Sequence, residues 1–396
     1  MRKNLKFYIR AIVLVLAVSG LFILQSCENN PNDLGLEFIL SDTLGTKVLD
    51  SNKDTLQITY NSFRKYVNTS TIGNFFIGKS GNYESKTLFR FKNLSESYQG
   101  ATVLSAKMVI HYNKYAFTDS LGTVSFNMYP LNTNYNFSTV TQDTFSVSSV
   151  GTTLIGSYTG APTDTSGISI TLDPTTVKNW LEYSADTNYA SKNYGMAMIP
   201  NAGSTTIKAF AKTTSGLVPK LVIVVNKNNT TDTLIYQDAG YMEAVTFTDA
   251  PSSSVFMNDR IVIQDGILYT ALLNFDISKL PGRVTINEAY VRLKLDKANS
   301  YTYLTNPNLY FLLVSDSAAK TYTGDPRYFI QDDSVTYSIR VNNIFQAWNY
   351  GTTTNLGLML RDLGDIVNLD KYVFYGPSVQ DTSKRPKLVI RYTPRG

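Results

Sequence analysis

The chain has 396 residues, of which 43% are hydrophobic and 17% are charged, so it is long enough for two globular modules and is not a disordered protein. Its formal charge is +5, from 36 Lys and Arg against 31 Asp and Glu. Four of the basic residues lie within the first ten positions, and the rest of the chain is close to neutral, which excludes the basic surface that nucleic-acid binding requires.

The N-terminal segment has the pattern of an exported protein. Its basic start is followed by the apolar run AIVLVLAVSGLFIL, which is too short to span a bilayer and typical of a signal peptide. The next residues, LQSC, resemble the bacterial lipobox, in which the cysteine becomes the acylated mature N-terminus. The resemblance implies a signal peptide over residues 1–26, lipidation of Cys27 and attachment to a membrane through the N-terminal lipid.

Residues 27–50 are rich in Asn, Asp, Gly and Ser, and we predict that they form a tether. Glu28 follows the cysteine, and resemblance to other lipoproteins then disfavours retention in the inner membrane. The predicted location is therefore the bacterial outer membrane or cell surface. Because Cys27 is the only cysteine, the exported chain forms no internal disulfide and depends on core packing.

The remainder of the chain contains a duplication, because a series of landmarks occurs twice in the same order. In each copy they are DTL, an apolar strand ending in Phe, an alternating strand, a Trp, a glycine followed by an apolar strand, and the string PKLVI. These landmarks predict two homologous modules, residues 51–226 and 229–396, joined by a short polar linker.

The alternating segments LSAKMVIHYN and INEAYVRLKLD have the period of two that is typical of half-buried strands. One face is apolar, and it carries Ala106, Met108, Ile110 and Tyr112 in the first copy and Ala289, Val291, Leu293 and Leu295 in the second. The opposite face is predicted to be solvated, and His111 lies on it.

Each tryptophan falls in a short helical pattern. Asp173 and Pro174 predict the start of the first helix, and a capping box formed by Asn343 and Gln346 predicts the start of the second. Trp180 and Trp348 lie on the apolar stripes, so we expect both to be core residues.

Short Val-, Ile-, Tyr- and Phe-rich runs separated by polar turns predict an all-β fold of two tandem, jelly-roll-like antiparallel β-sandwiches, each with a short helix. The PKLVI strings are predicted to begin closing strands. The order of the landmarks resembles the DNRLRE-type modules of bacterial surface proteins. That resemblance implies β-sandwiches akin to carbohydrate-binding modules.

Catalytic and metal chemistry have little support. One His and one Cys cannot build a zinc site, and no nucleotide-binding motif is present. Glycoside hydrolysis requires only two carboxylates, so the sequence leaves it open. Asp332, Asp333, Asp362 and Asp365 could bind calcium through oxygen atoms, although solvated turns are the favoured interpretation. We predict no cofactor.

Aromatic loops after the alternating strands supply candidate ligand contacts, because sugar rings stack on flat aromatic faces. The candidates are Tyr115, Phe117, Tyr301 and Tyr303, with packing or cross-strand pairing as the alternative. The sequence therefore favours a non-catalytic surface lipoprotein that binds polysaccharide through two modules. A structural or adhesive surface protein and a polysaccharide-cleaving enzyme are the alternative hypotheses.

Overall fold

The computed structural model describes residues 45–394 except 55, 304–307, 319–320 and 363–366, and leaves out the side chains of 253–254. Cys27, the predicted signal peptide and most of the predicted tether lie outside the described residues. The described part of the chain is mostly strand, and its named strands pair antiparallel. This confirms the predicted all-β fold class.

Two sandwiches account for the strands, each with one helix. The chain begins with β1 (Lys47–Asp50) and β2 (Ile58–Arg64), which belong to the second sandwich. The first sandwich follows and consists of β3 (Asn74–Ser80), β4 (Tyr83–Phe91), β5 (Thr102–Phe117), β6 (Val124–Pro130), β7 (Gly156–Gly160), β8 (Gly167–Leu172), α1 (Pro174–Ala185), β9 (Met196–Pro200), β10 (Ile207–Ala211), β11 (Lys220–Lys227), β12 (Thr230–Tyr236) and β13 (Met242–Asp249).

The rest of the second sandwich comes from the C-terminal part of the chain. It consists of β14 (Arg260–Gln264), β15 (Tyr269–Phe275), β16 (Thr285–Lys294), β17 (Leu309–Asp316), β18 (Thr321–Tyr328), β19 (Ile330–Gln331), β20 (Thr336–Arg340), α2 (Asn342–Tyr350), β21 (Leu358–Asp362), β22 (Lys371–Tyr375) and β23 (Lys387–Thr393). A single helical turn, Ser252–Val255, lies in the connection between β13 and β14.

Strand order shows the duplication directly. The first sandwich follows the path β12-β11-β5-β10-β3-β4-β9-β6-β7, with β8 on β5 and β13 on β4. The second has the sheets β1-β23-β16-β20-β19 and β18-β17-β21-β15-β14-β22, with β2 on β15. Each helix packs on the corresponding strand, α1 on β5 and α2 on β16. The two sandwiches therefore repeat one plan of strand pairing.

Both cores lie between the layers, as the sequence patterns predict. The alternating apolar side chains of β5 are buried, and so are those of β16 together with Leu295. Trp180 and Trp348 are 3% and 6% exposed and belong to the cores of the first and second sandwich, which confirms them as core residues. The PKLVI strings start β11 and β23, whose inward side chains are also buried.

The repeated glycine has a structural cause in both copies. Gly195 and Gly357 have φ angles of 91° and 90°. A Cβ at these positions would lie 2.7 and 2.6 Å from carbonyl oxygens of β4 and β15 respectively. Asn193 and Asn355 each donate from Nδ2 to the last carbonyl of the same strand, at 2.8 Å. The shared landmark is therefore a tight backbone approach that only glycine allows.

The sequence boundary at residues 226–229 does not separate the two sandwiches. Asn228 and Asn229 have φ angles of 51° and 62° and form the two-residue turn of the β11–β12 hairpin. β12 and β13 therefore complete the first sandwich, while β1 and β2 complete the second. Asparagines are common both in polar linkers and in turns that require left-handed backbone conformations. The polar string around residue 228 therefore has the composition of a linker although it forms a turn. Residues 47–50 of the predicted tether form β1.

The two helices start differently. Asp173 caps α1 by accepting a hydrogen bond from the Thr176 amide at 2.8 Å, as predicted. The capping box predicted for α2 is wrong, because the N-cap is Val341 and makes no side-chain cap. Gln346 instead bonds the main chain of β16 and of the preceding Val284, both at 2.8 Å, so it ties the helix to the sheet.

Candidate functional site

The four predicted aromatic contacts meet one another between the two sandwiches. Tyr115 packs on Tyr303 with ring centroids 5.1 Å apart, and Phe117 packs on Tyr301 at 4.9 Å, both edge to face. Tyr115 is 7% exposed and Phe117 is 2% exposed. These two rings are covered by protein and offer no open face to a sugar, whereas Tyr301 is half-buried and Tyr303 is 49% exposed. A ligand contact at Tyr301 or Tyr303 stays a prediction.

The hydroxyl groups of the three tyrosines form hydrogen bonds within the protein. Tyr115 donates to Asp370 Oδ1 at 3.1 Å and accepts from the Leu369 amide at 2.8 Å. Tyr301 and Tyr303 donate to main-chain carbonyls at the end of β5, at 2.5 and 3.1 Å. Burial raises the pKa of Tyr115 well above its usual value. The contacts of these four residues therefore join one sandwich to the other.

The single histidine is not on a solvated face. His111 is 9% exposed, because β8 pairs alongside β5 at Gly167. Its Nδ1 lies 3.0 Å from the carbonyl oxygen of Thr165. The expectation of a wet strand face is wrong at this position.

The acidic residues considered for calcium serve mainly as turn and strand residues. Asp333 Oδ1 accepts from two main-chain amides at 2.7 and 2.8 Å, and Asp332 Oδ1 accepts from the Ser338 hydroxyl at 2.6 Å. Asp362 is buried on β21, and Asp365 lies outside the described residues. Within the described residues, no group of three or more His, Cys, Asp or Glu side chains is placed to hold a metal ion.

A charged cluster on the first sandwich provides a better candidate. Arg90 of β4 and Glu243 of β13 are paired in register, and Arg90 Nε and Nη2 donate to Glu243 Oε2 at 2.9 and 2.5 Å. Lys92 Nζ donates to Glu243 Oε1 at 3.0 Å. Arg90 also donates to Asn134 Oδ1 at 2.9 Å, and its guanidinium lies 4.7 Å from the centre of the Phe137 ring. We call these residues the Arg90–Glu243 cluster.

The electrostatics keep the cluster charged. Burial raises the pKa of Glu243, but hydrogen bonds from Arg90 and Lys92 outweigh it, and the net pKa is below the usual value. Glu243 is therefore ionised at neutral pH. Both of its oxygens accept charge-assisted hydrogen bonds, which fixes the geometry of the cluster.

Two clefts of similar size flank the cluster. The Lys212 cleft has a volume of about 340 Å³. Its lining combines hydroxyl-bearing and charged side chains with apolar ones, namely Ser70, Thr71, Ser138, Lys212, Thr213 and Glu243 with Phe137, Ala239, Met242 and Ala244. The Tyr183 cleft has a volume of about 320 Å³ and is lined by residues that include Arg90, Lys92, Glu96, Asn134, Tyr183 and Thr187. Both volumes fall at the lower end of the range of small-ligand sites.

Lys212 lines the Lys212 cleft as a buried lysine without a carboxylate partner in the described part of the chain. It is 6% exposed, and its Nζ donates to the Ser70 carbonyl at 2.5 Å. In the described part of the chain, no carboxylate oxygen lies within 4.0 Å of this nitrogen. Burial lowers the pKa of Lys212 to about 8.

The second sandwich does not repeat this arrangement. In the equivalent register of β15 and β2, Asn274 faces Thr59. The loop of residues 131–155 that supplies Asn134 and Phe137 joins β6 to β7, whereas β18 begins only five residues after β17 ends. The sequence shows the change from Arg90 to Asn274, but it does not reveal Glu243, which is 153 residues from Arg90 and lies in the strand assigned to the other copy.

Comparison with known proteins adds no relative, since no protein family, curated protein or solved structure matches the chain. No helix of the described residues is long and apolar enough to cross a membrane. Fold and site together define an all-β protein of two homologous sandwiches, the first of which carries a charged cluster between two clefts.

Proposed function

We propose that the protein is a non-catalytic, lipid-anchored cell-surface protein that binds glycan, and that the first sandwich holds the ligand. The observation that carries the proposal is the pair of clefts beside the Arg90–Glu243 cluster. The DNRLRE-type resemblance of the sequence agrees with it. The second sandwich has the same plan of strand pairing without the cluster, and we assign it a supporting role.

The clefts offer the chemistry that a polyhydroxylated ligand requires. Hydroxyl groups of Ser70, Ser138 and Thr213 both donate and accept hydrogen bonds, the Lys212 ammonium only donates, and the Glu243 carboxylate only accepts. Sugar hydroxyls can pair with each of these groups. Hydrogen bonds to the charged groups are the stronger ones, and they give direction to the site.

The anchoring part of the proposal rests on the apolar run and the lone cysteine of the N-terminal sequence. We propose that Cys27 carries the acyl chains and that the outer membrane or cell surface is the location. A Cys27→Ser variant lacks the thiol that starts lipidation, so it is then expected in the soluble fraction. The unaltered protein is expected to carry several acyl chains, because one acyl chain alone binds a membrane only weakly. Detergent partitioning checks this, and an unchanged membrane fraction would exclude lipid attachment at Cys27.

Glycan binding is tested by a variant that copies the second sandwich into the first. Arg90→Asn together with Glu243→Thr installs the pair that Asn274 and Thr59 form in the equivalent register. We expect the fold to be retained and the affinity for glycan to fall about 10-fold or more, because charge-assisted contacts are removed. A glycan array followed by calorimetry provides the measurement.

The matched control removes an ion pair of the second sandwich. Arg292 Nε and Asp332 Oδ2 are 3.6 Å apart, so Arg292→Asn with Asp332→Thr makes the same chemical change away from the clefts. The control is expected to bind like the unaltered chain. If no glycan on the array binds the protein, the proposal is contradicted and the adhesive alternative is favoured. If reducing ends are released from a bound glycan, the protein is an enzyme.

A further inference from the structure

We infer that the Lys212 cleft recognises an acidic saccharide, whose carboxylate or sulfate group binds the ammonium group of Lys212. This inference rests on the proposed glycan binding and specifies the class of glycan. Three features of the first sandwich carry it: the unfilled donor capacity of Lys212, the lack of a carboxylate partner for Lys212 among the described residues, and the limited volume of the cleft.

The donor capacity of Lys212 exceeds what the protein supplies. An ammonium group has three N–H donors, and the hydrogen bond described for Lys212 goes to the Ser70 carbonyl. Lys208 of β10, four residues earlier in the chain, is a useful contrast. It is fully buried, but its Nζ donates to two carbonyls, at 2.7 and 3.0 Å, and lies 4.9 Å from the centre of the Tyr112 ring. Lys208 is satisfied by the fold, whereas Lys212 faces a cleft.

Lys212 is not paired with the carboxylate of its own cleft. Glu243 is the acid among the residues that line it, and Arg90 and Lys92 already bind both oxygens of that carboxylate. The carboxylate of this cleft is therefore already paired with two cations of the Arg90–Glu243 cluster. A buried cation without a counter-ion is costly, and an anionic group of a ligand is the natural compensation.

The dimensions and the remaining lining favour a sugar as the carrier of that anion. A cleft of about 340 Å³ takes a small ligand or one end of a chain. Thr71, Ser138 and Thr213 provide neutral hydrogen-bonding groups around the cation, which suit the hydroxyls of an acidic sugar. A purely apolar acid would leave these groups without partners.

The test uses calorimetry on the full chain with matched saccharides. An oligogalacturonate is compared with its neutral methyl ester, and a sulfated galactan oligosaccharide with its desulfated form, so that the arms separate carboxylate from sulfate. Lys212→Met is expected to weaken binding of the acidic form about 10- to 100-fold and to leave the neutral form nearly unaffected. The control Lys107→Met removes an exposed charge of the first sandwich outside the cleft and is expected to change little.

A second readout does not depend on any variant. Because the pKa of Lys212 is about 8, its charge is lost as the pH rises from 7 to 9.5, while Glu243, with its lowered pKa, stays ionised. Affinity for the acidic saccharide is therefore expected to fall across this range. Lys212→Arg keeps the charge and should hold the affinity nearly constant with pH.

Two outcomes would overturn the inference. One is equal binding of the acidic and neutral forms by the unaltered chain, and the other is the same small effect from Lys212→Met and Lys107→Met. Either would leave glycan binding in place, because a neutral glycan would still bind. Absence of binding by all the saccharides and by the array would remove both the inference and the proposed function. If the Lys212→Met variant melts at a much lower temperature than the unaltered chain, its loss of binding is not informative. The pH dependence of the unaltered chain then decides, and an affinity for the acidic saccharide that does not change between pH 7 and 9.5 overturns the inference.

Discussion

A chain that begins at residue 65 is expected to lose the cooperative folding of the second sandwich while the first sandwich stays folded. The deletion removes β2, whose seven residues pair along the whole of β15, and β1, which pairs with β23. It also removes Leu56, Ile58 and Phe63, each less than 9% exposed. Burial of such side chains contributes about 1.5–3 kcal/mol apiece, so the loss approaches the whole stability of a typical domain.

Two matched fragments of the first sandwich sharpen this prediction. Residues 65–250 contain β12 and β13 and should show one cooperative thermal transition by circular dichroism. Residues 65–226 lack both strands and with them the buried side chains of Leu234 and Met242, so no such transition is expected. The opposite result, in which residues 45–226 and 229–394 each melt cooperatively, would contradict the strand pairing described above and support the sequence boundary.

Replacement of either tryptophan by alanine is expected to cost about 3–5 kcal/mol and to unfold mainly its own sandwich. Trp348 packs with Phe345 at 4.8 Å and Phe275 at 6.5 Å between ring centroids, so truncation leaves a cavity in the second core. Trp180 occupies the same place in the first core. Denaturant unfolding should show one shifted transition in each variant.

An exposed residue provides the control for the tryptophan variants. Ile330 of β19 is 69% exposed, and its replacement by alanine should change stability by no more than about 0.5 kcal/mol. Unchanged unfolding of the Trp348→Ala or Trp180→Ala chain, together with lost glycan binding, would contradict the core assignment. The tryptophans would then be binding platforms.

The repeat could be predicted from sequence because its landmarks are local. The alternation in β5 and β16, the cap at Asp173 and the glycines at 195 and 357 each depend on a few neighbouring residues. The choice of partner strand is not local. Nothing in the string around Asn228 distinguishes a linker from a hairpin turn, since both need polar residues that tolerate positive φ.

The candidate site could not be predicted from the sequence, because its residues come together through contacts between distant parts of the chain. Tyr115 and Tyr303 belong to different copies, and only the arrangement of the sandwiches brings them into contact. Glu243 contacts Arg90 because β13 pairs with β4. The hydrophobic periodicity of the sequence does not indicate which strands pair. Lys212 directly follows the buried strand β10, and in sequence it resembles an ordinary polar residue at a strand end.

The central claim is that ligand binds the clefts of the first sandwich, and hydrogen–deuterium exchange of the full chain tests it most directly. The chain is compared alone and saturated with the tightest glycan found on the array. Protection should appear in the segments that line the clefts, residues 68–73, 92–96, 134–138, 212–213 and 239–244. Protection confined to the second sandwich, or to the loop that carries Tyr301 and Tyr303, would contradict the claim.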